Sequence, residues 1–283
     1  MLNKNYLSIY AKSFNWAGFF LPKEVYTKCS ALYDFCRIAD NIADDQNILE
    51  IKKSKFDEFE ENFKRKNFND PVIKNMWSII NEFNISLKIV QDLLDGVKSD
   101  IQTEVRINSR KDLLIYSYRV AGTVGLMMAK ILKVKKKDSL YSAIELGIAM
   151  QLTNISRDVV EDALNNRYYV KGNFENIKSI IYLADNFYDN SFYSIRDIPI
   201  RLRFSILVAR RIYRKIGYKI LKIKTFEEYK SYRKIYVNNF EKIIETFFSF
   251  LDLFKLSFIS TRSPKIVNNL VLIKEEINLD ERI

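Results

Sequence analysis

Apolar residues recur at helical spacing along almost the whole chain. One stripe follows the spacing i, i+4, i+7, i+11 and i+14, and consists of Val25, Cys29, Leu32, Cys36 and Ala39. Residues 89–97 and 240–258 repeat this period, which is typical of amphipathic helices, whereas the strict alternation of a strand is scarce. No low-complexity linker interrupts the pattern. We therefore expect an all-α chain that forms a single domain over residues 1–283.

The composition excludes several kinds of chemistry. The 283 residues include no histidine, seven glycines and four prolines. A histidine-based triad, a His-ligated zinc site and an imidazole proton shuttle are therefore impossible. The glycine-rich phosphate-binding motifs GxGxxG and GxxxxGK[ST] are also absent. An enzyme of this composition has to work with carboxylates, tyrosines, arginines or a metal ion held by oxygen.

The chain is basic, with 46 Lys and Arg against 35 Asp and Glu and a formal net charge of +11. Such a charge reflects either a Lys-biased genome and general solubility, or anionic substrates or an anionic surface. The run Lys133–Lys137 keeps open a different class, a basic helical protein that binds nucleic acid, although such a run is more often a solvated loop. The acidic motifs described below do not belong on a nucleic-acid-binding face, so we expect no nucleic-acid partner.

The cysteines and the apolar runs indicate the cellular compartment of the protein and its relation to membranes. Cys29 and Cys36 are two helical turns apart, too far for a disulfide, and are expected to be buried thiols in a reducing compartment. No secretory signal is visible, and the apolar run Val120–Ala129 is half as long as a membrane-spanning helix. We expect a cytoplasmic protein. The stripe Phe247–Phe254 is expected to belong to a buried closing helix; the alternative is peripheral contact with the inner membrane face.

Two acidic motifs carry the candidate chemistry. Asp40 and Asp44 are spaced i, i+4, so a helix directs both carboxylates to one face, where they repel each other. The second motif places Asn154, Asp158 and Asp162 at i, i+4 and i+8 along one helix face. A solvated surface would accommodate either row, and two unrelated acidic faces are the simple alternative.

A bound cation explains both rows together. Mg²⁺ prefers hard oxygen ligands and commonly combines one or two carboxylates with water and substrate phosphate oxygens. Arg157 lies beside Asp158, and Arg167 with Tyr168 follows the row; arginines grip phosphate through two hydrogen bonds. If the two helices face each other across a cleft, the ligand is a diphosphate bridged to carboxylates by Mg²⁺.

A third segment, Tyr116–Gly125, holds two tyrosines before a group of small residues. The small residues permit either a close helix approach or a break in the helix, and simple packing explains them equally well. Aromatic residues make up 14% of the chain. Most are expected in the core, and some could line an apolar tunnel or stabilise a carbocation.

In these motifs the chain resembles the squalene/phytoene synthase family, the head-to-head prenyl diphosphate synthases, and is most like their bacterial phytoene synthase members. Four segments carry the resemblance, in the family's order and spacing, and a fifth element follows them. They are Ser13-Phe14 with Leu21-Pro22, Tyr33–Asp44, Tyr116–Gly125 and Gln151–Asp162, followed by Arg167-Tyr168.

The resemblance implies a helical isoprenoid-synthase bundle with a central cavity, and a Mg²⁺-dependent prenyltransferase. It implies that two prenyl diphosphates are joined through a cyclopropylcarbinyl diphosphate. Mg²⁺, with Mn²⁺ as an alternative, would be bound by Asp40, Asp44, Asn154, Asp158 and Asp162. The implied catalytic residues are Asp40, Asp44, Asp158, Asp162 and Tyr116. The implied phosphate-binding and pocket residues are Arg37, Arg157, Arg167, Ser13, Phe14, Tyr33, Tyr116, Gln151, Tyr168 and Tyr213.

The motifs do not distinguish between the products that members of this family make. The length favours phytoene, made from two geranylgeranyl diphosphates in carotenoid biosynthesis, as in the family's shorter members. Squalene, dehydrosqualene or presqualene diphosphate from farnesyl diphosphate is the alternative. NADPH is not expected for phytoene and would be needed only for squalene.

Overall fold

A computed structural model describes residues 12–171, 173–232, 234–258 and 268–283. The described chain is almost entirely helical. The α-helices are α1 (Lys12–Gly18), α2 (Lys23–Ala43), α3 (Leu49–Lys64), α4 (Pro71–Phe83), α5 (Leu87–Lys98), α6 (Arg110–Ser117), α7 (Thr123–Ile131), α8 (Lys137–Leu164), α9 (Phe174–Phe192), α10 (Ile200–Leu221), α11 (Phe226–Ser231), α12 (Asn239–Phe258) and α13 (Asn268–Lys274). A π-helical turn (Tyr118–Gly122) joins α6 to α7, and 3₁₀ turns cover Tyr193–Asp197 and Leu279–Glu281. The strands β1 (Val105–Arg106) and β2 (Arg167–Tyr168) form a short parallel pair.

Local sequence signals explain where several helices begin. Asp70 caps α4 through hydrogen bonds from the backbone N–H groups of Val72 and Ile73, and Pro71 occupies its first position. Ser86 caps α5 in the same way. These side chains satisfy amide groups that have no partner within the first helical turn, and proline loses nothing there.

The predicted apolar stripes are confirmed in the first half of the chain. Cys29, Leu32, Cys36 and Ala39 of α2 are buried, as are the four apolar residues of α5, Ile89, Leu93, Leu94 and Val97. Both cysteines are free. The longest helix, α8, packs against α7, α9 and α10, and it carries the second acidic row at its carboxyl-terminal end.

The small residues after Tyr116 both interrupt the regular α-helix and allow a close helix approach, the two possibilities raised by their sequence pattern. They form the π-helical turn, and they let α7 and the turn approach α8 closely. A Cβ atom on Gly125 would lie 2.3 Å from the Ala143 carbonyl oxygen, and one on Gly147 would lie 2.3 Å from that of Ala121. Only glycine allows this backbone contact, which forms one wall of the cavity described below.

The expectation that the stripe Phe247–Phe254 closes the core is wrong. Phe247 and Phe254 are 63% and 62% exposed, and the buried face of α12 is mainly polar. The reason is electrostatic. Arg211 of α10 donates hydrogen bonds to Glu245 and Asp252, so the two carboxylates turn inward and the aromatic face turns outward.

In the described part of the chain, no helix is long and apolar enough to cross a bilayer. The basic run Lys133–Lys137 forms the connection into α8, where Lys136 and Lys137 pair with Asp197 and Asp280.

Candidate active site

A cavity of about 1580 Å³ occupies the middle of the helical bundle. This is larger than the roughly 300–1000 Å³ of ordinary small-molecule pockets. Carboxylates and arginines from α2, α8 and β2 line one part of it. The remaining wall is mostly apolar and comes from α1, α7, the first half of α8, and α10. The cavity therefore suits an elongated molecule with an anionic head and an apolar body.

The first acidic row lies at the end of α2. Asp40 is in the last turn, and Asp44 follows the helix and donates its backbone N–H to the Asp40 carbonyl oxygen. Both carboxylates line the cavity. Burial, together with the neighbouring charge of Asp44, raises the pKa of Asp40 to about 7. The Asp40 carboxylate is thus held close to a like charge with too little solvent, which a cation would relieve.

The second acidic row lies on α8, as its spacing predicted, and Asn154, Asp158 and Asp162 all line the same cavity. Burial and the charge of Asp158 raise the pKa of Asp162 to about 7. Asp158 accepts two hydrogen bonds from Arg157, from Nε at 2.7 Å and from Nη2. Among the described residues, the buried Oδ1 atom of Asn154 has no hydrogen-bond partner, although Nδ2 of the same side chain donates weakly to Gln151.

Arg167 connects the two acidic rows. It begins β2, which follows α8, and its Nη1 donates a 2.6 Å hydrogen bond to Asp44 Oδ1. Its Nη2 donates to the carbonyl oxygen of Ala43. The positive charge of Arg167 lowers the pKa of both Asp40 and Asp162, and so partly offsets the repulsion within each row.

Asp100 is a site residue that the sequence patterns did not reveal. It lies beyond the end of α5, lines the cavity, and accepts hydrogen bonds from Tyr116 at 2.7 Å and Tyr169 at 2.8 Å. The two tyrosine hydroxyls lie 3.0 Å apart and their rings stack. Burial raises the pKa of Asp100. Its charge also raises the pKa of Asp40 and Asp162, so it lies within electrostatic reach of both rows.

The sequence contains only weak signals for Asp100 and for Tyr169, which contacts it. Asp100 and Glu104 share the i, i+4 spacing, but they lie in the segment between α5 and β1, where no helix forms. Tyr169 could have been found, because residues i and i+2 of an extended strand share a face, and Tyr169 is two residues after Arg167. The sequence motifs pointed to Tyr168 instead, which packs against the guanidinium group of Arg106. Neither tyrosine is among the cavity-lining residues, but Tyr169 hydrogen-bonds to Asp100, which is. Tyr116 also lies behind the cavity wall, against Asp100.

The other predicted pocket residues line the cavity: Ser13, Phe14, Tyr33, Arg37, Gln151 and Tyr213. The rings of Phe14 and Tyr213 are in contact, with their centroids 4.8 Å apart. Burial raises the pKa of Tyr33 to about 12 and raises that of Tyr213. Both phenols therefore stay protonated at neutral pH and can donate hydrogen bonds to an anion.

The residues present fit an oxygen-preferring divalent cation that also binds substrate. Within the described ranges, no three Cys, Asp or Glu side chains converge closely enough to hold a metal unaided. Mg²⁺ commonly takes only one or two carboxylates and completes its octahedron with water and phosphate oxygens. Carboxylates with raised pKa values and the unpartnered Asn154 oxygen provide such incomplete ligand sets. Arginines beside them would neutralise the phosphates.

The geometry therefore defines a class of protein: a helical bundle with a cavity whose polar end suits a metal-bridged polyphosphate and whose remaining wall is mostly apolar. Comparison with known proteins gives the family. The family model described as squalene/phytoene synthase matches residues 7–170, and the chain belongs to this family. The prediction from the sequence motifs is thus confirmed.

Individual relatives agree with this assignment. The chain is similar to the 15-cis-phytoene synthase of Pantoea ananas, with 28% identity over 76% of this chain and 80% of the relative. It is similar to the phytoene synthase of Rhodobacter capsulatus, with 29% identity over 75% of this chain and 70% of the relative. Among solved structures, it resembles a dehydrosqualene synthase with a TM-score of 0.76 and 26% identity, covering 88% and 94% of the two chains.

Proposed function

We propose that this protein joins two prenyl diphosphates head to head, and that the substrates are two geranylgeranyl diphosphates and the product is phytoene. The observation that carries the proposal is the pairing of two acidic rows with an apolar wall inside one cavity. Relatives named phytoene synthase support the choice of product. One domain over residues 1–283, located in the cytoplasm, belongs to the same proposal; peripheral contact with the inner membrane face is a separate proposal, argued in the next subsection.

The residues at the polar end would bind the diphosphates. Asp40, Asp44, Asn154, Asp158 and Asp162 would hold Mg²⁺, with Mn²⁺ as an alternative, and the bound metal would act as a Lewis acid at the leaving diphosphate. Arg37, Arg157 and Arg167 would neutralise its charge. These groups are fixed before substrate arrives, so they stabilise the developing negative charge without reorganisation.

The chemistry needs no histidine. Loss of diphosphate from one substrate gives an allylic cation, which the double bond of the second substrate attacks, and loss of one proton closes the cyclopropane ring. A second loss of diphosphate, with rearrangement of the ring, gives a 1-1′ linked cation, which loses a second proton to become the hydrocarbon. The released diphosphate, or a tyrosine, accepts each proton. Phe14, Tyr33 and Tyr213 would present aromatic faces to the cations, and the apolar wall would keep water away from them.

The resemblance to a dehydrosqualene synthase favours a second candidate, in which the substrate is farnesyl diphosphate. Squalene, dehydrosqualene and presqualene diphosphate are the corresponding products. Incubation of the purified protein and Mg²⁺ with each prenyl diphosphate, with and without NADPH, followed by chromatography of the products, distinguishes these reactions. Phytoene formed without NADPH supports the proposal. A C30 product, or reduction that depends on NADPH, would support the alternative.

Substitutions test the site itself. Asp40→Asn and Asp158→Asn should each lower turnover by at least about a hundredfold, because each removes charge stabilisation at the leaving group. Asp138→Asn is a matched control, since Asp138 lies on α8 but is exposed at the opposite end of the helix. Full activity in either site variant would refute the assignment.

A further inference from the structure

Helix α12 is amphipathic, but it buries a mainly polar face and exposes an apolar one, the reverse of a core helix. Its buried face carries four polar residues and one apolar residue: Lys242, Glu245, Ser249, Asp252 and Leu256. Its exposed apolar residues recur every three or four positions and lie on one side of the helix: Phe240, Ile243, Phe247, Leu251, Phe254 and Phe258. Over the 19 residues from the first to the last of them, the helix rises about 27 Å. Monomeric soluble proteins rarely leave an apolar stripe of this length in water.

The apolar stripe continues onto neighbouring elements. Phe250 contacts Phe204 of α10, with ring centroids 4.3 Å apart, and Phe204 contacts Phe20 at 5.0 Å. Phe20 in turn packs edge-on against Phe19, which is 83% exposed. The stripe of α12, Phe250 and these three aromatic residues together form one surface, called the α12 surface below.

The three acidic side chains of α12 are all engaged in ion pairs. Glu245 and Asp252 point inward to Arg211, and Glu241 pairs with Lys219. Lys255 is the exposed charged residue of α12. The whole chain carries a net charge of +11. A second copy would therefore bring like charge to the interface, whereas the headgroups of an anionic membrane would bring opposite charge.

The α12 surface lies just outside the cavity. Helix α1 lies between them: Ala17 and Gly18 line the cavity, and Phe19, directly after the helix, faces outward. Trp16 of α1 donates a 3.0 Å hydrogen bond to Thr246 of α12, which fixes the two helices together. Lys242 and Asn239 at the start of α12 also line the cavity.

We propose that the α12 surface docks this protein in the plane of an anionic lipid membrane. An interfacial helix of this kind buries its apolar face at the boundary of headgroups and acyl chains and does not span the bilayer. Docking would place α1, and the cavity wall behind it, next to the lipid that dissolves an apolar product. Only this last consequence rests on the proposed function; the docking itself does not.

Flotation of the full-length protein with lipid vesicles tests the proposal. The probe is a set of phosphatidylcholine vesicles with and without phosphatidylglycerol. The protein should float with the vesicles that contain phosphatidylglycerol, and less with phosphatidylcholine alone or at high salt. Phe247→Ser with Phe254→Ser should weaken binding by about a hundredfold, about tenfold for each side chain withdrawn from lipid.

Phe68→Ser is the matched control, because Phe68 is 50% exposed and lies in the connection between α3 and α4. It should float like the unmodified protein. Both variants should keep the thermal transition and the helical circular dichroism of the parent, since the substituted side chains are exposed. Their turnover of dispersed prenyl diphosphate should also be unchanged.

Three results would overturn docking: no flotation with either vesicle, flotation of the double variant equal to that of the parent, or a solution dimer that the double substitution dissociates. The last result would assign the α12 surface to a second copy. Vesicle flotation measures membrane binding whether or not the protein converts prenyl diphosphate. Flotation by a protein that consumes no prenyl diphosphate would therefore support docking while refuting the proposed function.

Discussion

Arg167 donates a 2.6 Å hydrogen bond to Asp44, a residue 123 positions earlier in the chain. The bond joins the end of α2 to the strand that follows α8, so it connects the two helices that carry the acidic rows. Arg167 also lowers the pKa of Asp40 and of Asp162 through its charge. One arginine thus positions both halves of the candidate metal and diphosphate site.

Arg167→Gln should lower kcat/KM for prenyl diphosphate by about 10- to 100-fold, since hydrogen bonds to charged groups contribute roughly 1.5–3 kcal/mol. Steady-state kinetics at saturating Mg²⁺ measures this. Arg106→Gln is the control, because Arg106 lies on the neighbouring strand and pairs with the exposed Glu104. Equal kinetics in the two variants would show that Arg167 has no special role.

Tyr169→Phe should lower the free energy of unfolding by about 1–3 kcal/mol, because it leaves the buried Asp100 carboxylate with one tyrosine donor instead of two. The double substitution with Tyr116→Phe should be non-additive, since both hydroxyls donate to the same carboxylate and lie 3.0 Å apart. Urea denaturation provides the measurement. Tyr182→Phe, on an exposed residue of α9, should be neutral; a Tyr169 variant as stable as that control would disprove the role of the network.

Gly147→Ala should destabilise the fold by about 1–3 kcal/mol, because the new methyl group would meet the carbonyl oxygen of Ala121. The fixed backbone on the other side leaves no side chain that can move away. Gly217→Ala of α10 is the matched control, where the methyl group meets only the flexible side chain of Ile181 at 3.1 Å. Denaturation midpoints that decrease equally for both variants would contradict this explanation.

Glu145 gives a prediction for the pH dependence of stability. It is buried in α8 and accepts hydrogen bonds from Asn190, and burial raises its pKa from 4.5 to about 7. The folded state therefore holds this proton at higher pH than the unfolded state does. Its contribution to stability falls as the pH rises from about 4.5 to about 7, and the total loss is about 3 kcal/mol.

Glu145→Gln should consequently stabilise the protein at pH 8 and have little effect at pH 4.5, because glutamine keeps an acceptor for Asn190 and carries no charge. Thermal denaturation at the two pH values tests this. Glu58→Gln, on an exposed residue of α3, controls for the change in net charge. A stabilisation that is the same at both pH values would refute the linkage to Glu145.

Much of the fold and of the candidate site follows from local pattern. The helical period predicted α2 and α5 and their buried faces, because the geometry of a helix fixes which residues share a side. The same geometry placed Asn154, Asp158 and Asp162 in one row. These inferences need no knowledge of distant residues, and the structure brings both predicted rows to one cavity.

What the sequence by itself determined is therefore the helices, their apolar and acidic faces, and the residue types that could hold a metal and a diphosphate. Only the tertiary structure decided that Asp100 lines the cavity, held by Tyr116 and Tyr169, and that α12 turns its aromatic face outward. The physical reason is the same in both cases. Hydrogen bonds to Asp100 and the ion pairs of Arg211 come from residues distant in the chain, so no local pattern of residues encodes them.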